Sequence, residues 1–193
     1  RRGFERVALW PPAVDADLFH PAKADEEMRR RLLGGAGPGV LLLTASRLAP
    51  EKNVALLADM LPGIPQARLA IVGDGPHRAA LERAFRGLPV HFTGYLKGPE
   101  LAAAFASADA FVYASETETM GNVVLEAMAS GLAVVAPRAG GLTSLVQHGE
   151  TGLLYPARDS VRAAGEIRRL TTDHQLRRRL SAQARARAAA MTW

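Results

Sequence analysis

The chain has 193 residues, of which 48% are hydrophobic, and it carries a formal net charge of +5. This length supports one sizeable hydrophobic core, so we expect a single domain. There is no cysteine and no apolar run near the roughly 20 residues of a membrane helix. These features predict a soluble, cytoplasmic protein and argue against disulfide-stapled and membrane-spanning classes.

Short apolar runs alternate with segments of helical periodicity along the whole chain. The runs predict β-strands at residues 7–10, 40–45, 68–72, 90–92, 110–113, 133–136 and 152–155. The periodic segments predict helices at residues 53–61, 77–85, 99–107, 122–130, 142–146, 160–171 and 174–191. This alternation is typical of a parallel sheet with helices on both faces, so the predicted fold is α/β and Rossmann-like, with about six strands.

Polar and glycine residues directly follow several of the predicted strands. They are Arg47, Gly73, Gly94, Glu118 and Gly140. The carboxyl ends of parallel strands meet at one edge of the sheet, where ligands of this fold class bind. The sequence therefore predicts a site at that edge.

The most informative segment is residues 115–131, SETETMGNVVLEAMASG. A polar loop containing Glu118 leads into a helix that contains Glu126. Gly121 lies between them, where a glycine lets the backbone approach a ligand closely. The start of a helix favours phosphate because its amide groups are unpaired and its dipole is positive there. A phosphate site flanked by two carboxylates fits a ligand with both phosphate and hydroxyl groups, as in a sugar nucleotide.

The excess of positive charge is concentrated near the end of the chain, at Arg168, Arg169, Arg177, Arg178, Arg179, Arg185 and Arg187. The favoured interpretation is a solvated helical face. A basic module that binds nucleic acid or acidic lipid stays an alternative, as does peripheral association with a membrane. Because few aromatic residues accompany the arginines, stacking on single-stranded nucleic acid is disfavoured.

Ordered motifs over nearly the whole chain resemble the C-terminal, donor-binding domain of retaining glycosyltransferases of family four, which have the two-domain GT-B fold. The motifs are AVDADLFHP (13–21), TASRLAPEKN (44–53), IVGDGP (71–76), HFTGYL (91–96), the 115–131 segment and HGETGLLY (148–155). The 115–131 segment is similar to mannosyltransferases that use GDP-mannose and to sulfolipid-type enzymes that use UDP-sugars. The resemblance implies a longer enzyme whose N-terminal, acceptor-binding domain is missing, so this chain alone is expected to catalyse little.

The resemblance implies a role for each candidate residue. Arg47 and Lys52 would bind the donor diphosphate, Glu118 would contact the transferred sugar, and Glu126 would accept hydrogen bonds from the ribose hydroxyls. An ionised carboxylate suits hydroxyl donors because it only accepts hydrogen bonds. Gly73 would take part in binding the donor, and the amides of Met120, Gly121 and Asn122 would hold phosphate or sugar oxygens. The backbone of Leu96 would meet the base. Leu96 as an ordinary core side chain, and Glu126 as a surface or capping residue, stay open alternatives.

Other chemistries are disfavoured by the residues themselves. The dinucleotide fingerprint G-x-G-x-x-G fails because Arg78 occupies its third glycine position. Asp15-Ala16-Asp17 is expected to form a turn, and the scattered histidines give no zinc pattern, so no metal and no other cofactor are predicted. Glu116 is expected to be solvated. A glycosidase-type pair of carboxylates would leave the phosphate motifs unexplained. A nucleotide-sugar epimerase or a non-catalytic sugar-nucleotide binder is the main alternative to a transferase.

Overall fold

The computed structural model describes residues 11–192, and its centre is a parallel sheet of six strands in the order β3-β2-β1-β4-β5-β6. The strands are β1 (Val40–Ala45), β2 (Ala67–Val72), β3 (Val90–Gly94), β4 (Ala110–Val112), β5 (Ala133–Pro137) and β6 (Gly152–Tyr155). The predicted α/β class and parallel sheet are confirmed. The predicted strand at residues 7–10 lies outside the described residues.

Helices cover both faces of the sheet. They are α1 (Glu26–Leu33), α2 (Leu56–Met60), α3 (Arg78–Ala84), α4 (Gly98–Ala106), α5 (Asn122–Ala129), α6 (Leu142–Leu145), α7 (Ser160–Thr172) and α8 (His174–Ala189). Leu41 and Leu43 of β1 face a core formed with α1, α4, α5, α6 and α8. Leu42, between them, faces the opposite core formed with α2, α3 and α7. Apolar burial on both faces explains why the strands are continuously hydrophobic.

The helices differ from the sequence-based prediction at two places, one helix being shorter than predicted and one not predicted at all. The predicted helix at residues 53–61 is reduced to α2, with short 3-10 helices at Pro50–Lys52 and Leu61–Gly63 on either side. Helix α1 was not predicted, because only Met28 and Leu32 are buried in an otherwise charged segment. Its capping signals are nevertheless present in the sequence. The Asp25 carboxylate accepts a 2.6 Å hydrogen bond from the Met28 amide, as an N-cap residue should.

The arginines of α7 and α8 only partly match the solvated face predicted for them. Arg168 and Arg178 are exposed. Arg185 instead donates to the carbonyl oxygens of Ala129, Phe19 and Ala16 at 2.8, 3.3 and 3.3 Å. Arg187 likewise donates to the Ser144 carbonyl oxygen at 2.6 Å. The solvated interpretation is therefore wrong for Arg185 and Arg187, which fasten α8 to neighbouring segments. Within the described part of the chain, no helix combines the length and apolar character that crossing a membrane requires.

Candidate functional site

A cleft of about 510 Å³ lies at the carboxyl edge of the sheet, where the order of the strands reverses. From β1 the chain proceeds to β2 and β3 on one side, and then returns to place β4 on the other side of β1. Ligands of open parallel sheets bind at such a reversal. The cleft is lined by Ala45, Ser46, Arg47, Lys52, Val72, Gly73, Asp74, Tyr95, Leu96, Leu101, Tyr113, Glu118, Asn122 and Val123. Six of the predicted site residues are thus brought together: Arg47, Lys52, Gly73, Leu96, Glu118 and Asn122.

The ends of β1 and β2 form one wall of the cleft. Arg47 is exposed, and its side chain makes no ion pair with any described residue. The hydroxyl of Ser46 is buried without a hydrogen-bond partner. Gly73, with φ of 130°, is packed against Ser46, and a Cβ at this position would overlap the Ser46 carbonyl oxygen. Only a glycine fits there, so the two strand ends lie close together and leave the arginine side chain facing the cleft.

Lys52, Glu118 and Tyr113 form a hydrogen-bonded network across the cleft. The Lys52 Nζ lies 2.9 Å from Glu118 Oε2, and the Tyr113 hydroxyl donates to the same oxygen at 2.6 Å. Lys52 is placed by the 3-10 helix Pro50–Lys52, whereas Tyr113 directly follows β4. Two distant segments of the chain therefore hold one carboxylate oxygen.

This network determines the ionisation of Glu118. Partial burial raises the pKa of its carboxyl. The hydrogen bonds from Tyr113 and Lys52, the Lys52 charge and the backbone amide of Gly121 together outweigh burial and lower the pKa. Burial and the hydrogen bond to Glu118 raise the pKa of Tyr113. At neutral pH the carboxylate is therefore ionised, and the tyrosine hydroxyl remains protonated and donates.

Helix α5 begins beside the cleft with Gly121 in the left-handed conformation, φ 70°. Asn122 and Val123 line the cleft, and their amides, in the first turn, have no carbonyl partner within the helix. Glu126 is one turn further on the same face of α5. Its carboxylate has no hydrogen-bond partner among the described residues, and burial raises its pKa to about 7. Gly121, Glu126 and Met120 lie outside the residues that line the cleft.

Another wall of the cleft is formed by the residues that follow β3. Leu96 is buried in the core that contains α5, so its side chain is a core residue as well as a lining residue. Tyr95, beside it, is 72% exposed, which makes it an aromatic ring available at the mouth of the cleft. Met120 is 40% exposed and lies on the loop before α5.

Glu116 was expected to be solvated, and this expectation is wrong. Its side chain is only 20% exposed and pairs with Arg158 at 3.1 Å, while its Oε1 is buried without a partner. It lies on the far side of the loop from Glu118, in a smaller pocket with Pro50 and Asn53. The Glu116 pair therefore supports the loop but takes no part in the main cleft.

The Asp15-Ala16-Asp17 segment forms the predicted turn. Asp15 Oδ1 accepts hydrogen bonds from the amides of Asp17 and Leu18 at 3.1 and 2.9 Å. Among residues 11–192, no group of three His, Asp or Glu side chains is arranged to hold a metal ion. The independence from metals and other cofactors stays a prediction.

Sequence reasoning did not identify Ser46, Tyr95 or Tyr113 as part of the site. Tyr113 carried the clearest signal, because a tyrosine with a polar hydroxyl ends an otherwise apolar strand and directly precedes the acidic loop. Tyr95 and Ser46 follow predicted strands at the same sheet edge as Gly94 and Arg47.

The fold and its cleft define a Rossmann-like α/β domain with its binding site at the strand reversal. Residues 39–173 match the family model of glycosyl transferases group 1. The chain belongs to this family.

Similar proteins cover most of this chain, whereas the chain covers only part of each of them. It is 41% identical over 191 residues to the sulfoquinovosyl transferase SQD2 of Arabidopsis thaliana, covering 97% of this chain and 38% of that protein. It is 45% identical over 159 residues to a GDP-mannose-dependent alpha-mannosyltransferase of Mycobacterium tuberculosis, covering 80% and 40%. The chain thus spans less than half the length of these relatives.

Among solved structures, HepE of Anabaena in complex with UDP and glucose superposes with a TM-score of 0.82 and 26% identity, covering 93% of this chain and 51% of that chain. Sucrose-phosphate synthase of Thermosynechococcus elongatus gives a TM-score of 0.82 and 29% identity, covering 95% and 48%. The fold is that of the Rossmann-like C-terminal domain of GT-B glycosyltransferases.

Proposed function

We propose that this domain binds the nucleoside diphosphate sugar donor of a retaining glycosyltransferase that moves a hexose to an acceptor held by a second, N-terminal domain. The observation that carries the proposal is the cleft itself. It combines the cations Arg47 and Lys52, a close-packed glycine turn at Gly73, the start of α5 and the ionised Glu118.

The two cations suit a diphosphate leaving group. Negative charge gathers on the diphosphate as the bond to the sugar breaks, so cations at this position stabilise the transition state more than the ground state. Arg47 offers a planar fork that binds two oxygens, and Lys52 offers a point charge. These side chains would supply the charge stabilisation without a metal ion.

The two carboxylates suit the hydroxyl groups of the donor. Glu118 lines the cleft next to Lys52. A carboxylate that could accept hydrogen bonds from sugar hydroxyls would therefore lie beside a cation that could bind phosphate. Glu126 lies one helical turn from Asn122 and has no hydrogen-bond partner within residues 11–192, which fits a carboxylate that accepts from the ribose hydroxyls. The exposed ring of Tyr95 and the backbone of Leu96 lie near the expected position of the base.

The relatives indicate which donors to test. Those similar to this chain include GDP-mannose-dependent transferases and a protein solved with UDP and glucose. The GDP-mannose-dependent relatives are transferases, and no feature of the cleft favours the epimerase alternative. Because the chain covers only 38% of the SQD2 relative, we expect donor binding without appreciable transfer from this domain alone.

The test is a thermal-shift titration of this domain with GDP, UDP and ADP and with GDP-mannose and UDP-glucose. Ligand at ten times its dissociation constant adds about 1.4 kcal/mol to the free energy of unfolding, which raises Tm by about 2–4 °C. We expect a shift with one base in preference to the others. Equal behaviour of all nucleotides, or no shift at millimolar concentration, would contradict the proposal.

The raised pKa of Glu126 predicts a pH-dependent affinity. The carboxylate must be ionised to accept hydrogen bonds from the ribose hydroxyls, and its pKa is about 7. The affinity for the donor should therefore fall by about tenfold from pH 8 to pH 6. The titration should use a diphosphate sugar, since its phosphates do not titrate in this range. Isothermal calorimetry would also detect the proton released on binding.

The matched control is Glu126→Gln, which keeps an acceptor but does not titrate and should flatten the pH profile. The raised pKa of Glu126 also makes the stability of the fold depend on pH. The folded state keeps a proton that the unfolded state loses between about pH 4.5 and 7, so this group's contribution to stability falls as pH rises through that window. If Glu126→Gln leaves the pH dependence of donor affinity unchanged, Glu126 does not contact the donor.

A further inference from the structure

One oxygen of Glu118 receives two hydrogen bonds. Oε2 accepts from Lys52 Nζ at 2.9 Å and from the Tyr113 hydroxyl at 2.6 Å. No side chain among the described residues donates to Oε1, and the backbone amide of Gly121 is the one further donor near this carboxylate. A carboxylate held in this way presents its second oxygen in a fixed direction while its first oxygen is fully engaged.

The tyrosine that holds Glu118 is itself rigidly placed. Tyr113 is 2% exposed, and its amide donates to the Val135 carbonyl oxygen at 2.9 Å. The hydroxyl of the buried Tyr155 donates to the Tyr113 carbonyl oxygen at 2.8 Å. The ring of Tyr113 also stacks on that of Phe111, with centroids 5.9 Å apart. Hydrogen bonds thus hold the Tyr113 backbone and packing holds its ring, and together they direct the hydroxyl toward Glu118.

We infer that Tyr113 is a positioning residue for sugar recognition, whose hydroxyl holds the Glu118 carboxylate in place for the transferred sugar. The inference rests on the proposed function of the cleft. Lys52 is the cation expected to engage the diphosphate, so its hydrogen bonds must be shared between Glu118 and the ligand. Tyr113 has no such second task, and it keeps Glu118 fixed while Lys52 contacts phosphate.

Tyr113 also maintains the charge of Glu118. The groups facing this carboxylate are Lys52 from the 3-10 helix, Tyr113 after β4 and the Gly121 amide at the start of α5. Arg47 and Asp74 line the same cleft. Since burial alone raises the pKa of Glu118, removal of the Tyr113 hydroxyl removes one of the interactions that keep the carboxylate ionised.

The experiment compares Tyr113→Phe with Tyr155→Phe. Both variants remove one buried tyrosine hydroxyl, but only the first removes a hydrogen bond to Glu118. Binding of UDP-glucose and UDP, and of GDP-mannose and GDP, is measured by calorimetry for each variant. The prediction concerns whichever nucleotide, with its sugar conjugate, binds the wild type. We expect Tyr113→Phe to lower the affinity for the sugar conjugate by about tenfold and the affinity for the nucleoside diphosphate by less than about twofold. Tyr155→Phe removes a hydrogen bond to the Tyr113 backbone, which the bond from the Tyr113 amide to the Val135 carbonyl oxygen still holds. This variant should therefore change the ratio of the two affinities by less than about twofold.

A second readout follows the Glu118 carboxyl by ¹³C NMR titration, which requires no ligand. Tyr113→Phe should raise the pKa of Glu118, and Tyr155→Phe should leave it unchanged. An unchanged sugar-to-diphosphate ratio in Tyr113→Phe, with the wild type binding normally, would overturn the positioning role alone. An unchanged Glu118 pKa in this variant would overturn it as well. Absence of binding of either pair to the wild type would instead contradict the proposed function.

Discussion

Replacing Arg47 by alanine is expected to weaken binding of the nucleoside diphosphate by about thirtyfold, or about 2 kcal/mol, as measured by calorimetry. The guanidinium faces the cleft and forms no ion pair within the described part of the chain, so its removal withdraws a charge-assisted contact to phosphate. For the same reason, the free energy of unfolding should change by less than about 0.5 kcal/mol. A large loss of affinity without a loss of stability is the expected pattern.

Two variants separate a phosphate contact from general electrostatics. Arg47→Lys keeps the charge but loses the planar fork, and should fall between alanine and wild type. Arg83→Ala removes the same charge from the exposed face of α3, away from the cleft, and should leave the affinity almost unchanged. Equal losses in Arg47→Ala and Arg83→Ala would show that only net charge matters, contrary to the account.

Replacing Gly73 by alanine should both destabilise the domain and abolish donor binding. The added Cβ would overlap the Ser46 carbonyl oxygen, and φ of 130° is a conformation that residues with a side chain rarely adopt. Strain and displacement of the two strand ends together should lower the free energy of unfolding by about 3 kcal/mol or more. Chemical denaturation measures the stability, and the nucleotide titration measures binding.

Gly37→Ala is the matched control. Gly37 lies in an exposed loop, and a Cβ there would meet no atom within 4 Å. Its substitution should change the free energy of unfolding by less than about 0.5 kcal/mol. If Gly73→Ala were as stable as Gly37→Ala and still bound nucleotide, the close approach of the two strand ends would have no importance for the site.

The sheet and the position of the cleft could be predicted because they depend on local signals. Apolar runs such as residues 40–45 fix the strands, and parallel connections then place Arg47, Gly73 and Glu118 at one edge. Helix α1 could not be found from hydrophobic periodicity, because its stability depends on the Asp25 cap and on two buried residues.

The side-chain network lay beyond the sequence for a different reason. That Tyr113 and Lys52 share one oxygen of Glu118 depends on the distance between the end of β4 and a 3-10 helix far from it in the chain. The ion pair of Glu116 with Arg158 is likewise a tertiary contact. Spacing along the chain places residues at a sheet edge, but only packing determines which side chains meet there.

The most direct test of the donor-site account is NMR mapping of backbone amides during titration with the nucleoside diphosphate that gives the largest thermal shift. The account predicts the largest chemical-shift changes at Arg47 and Gly73, on the two strand ends that line the cleft, and at Asn122, at the helix start beside them. Changes confined to the exposed arginines of α7 and α8, with the cleft amides unaffected at saturation, would contradict it.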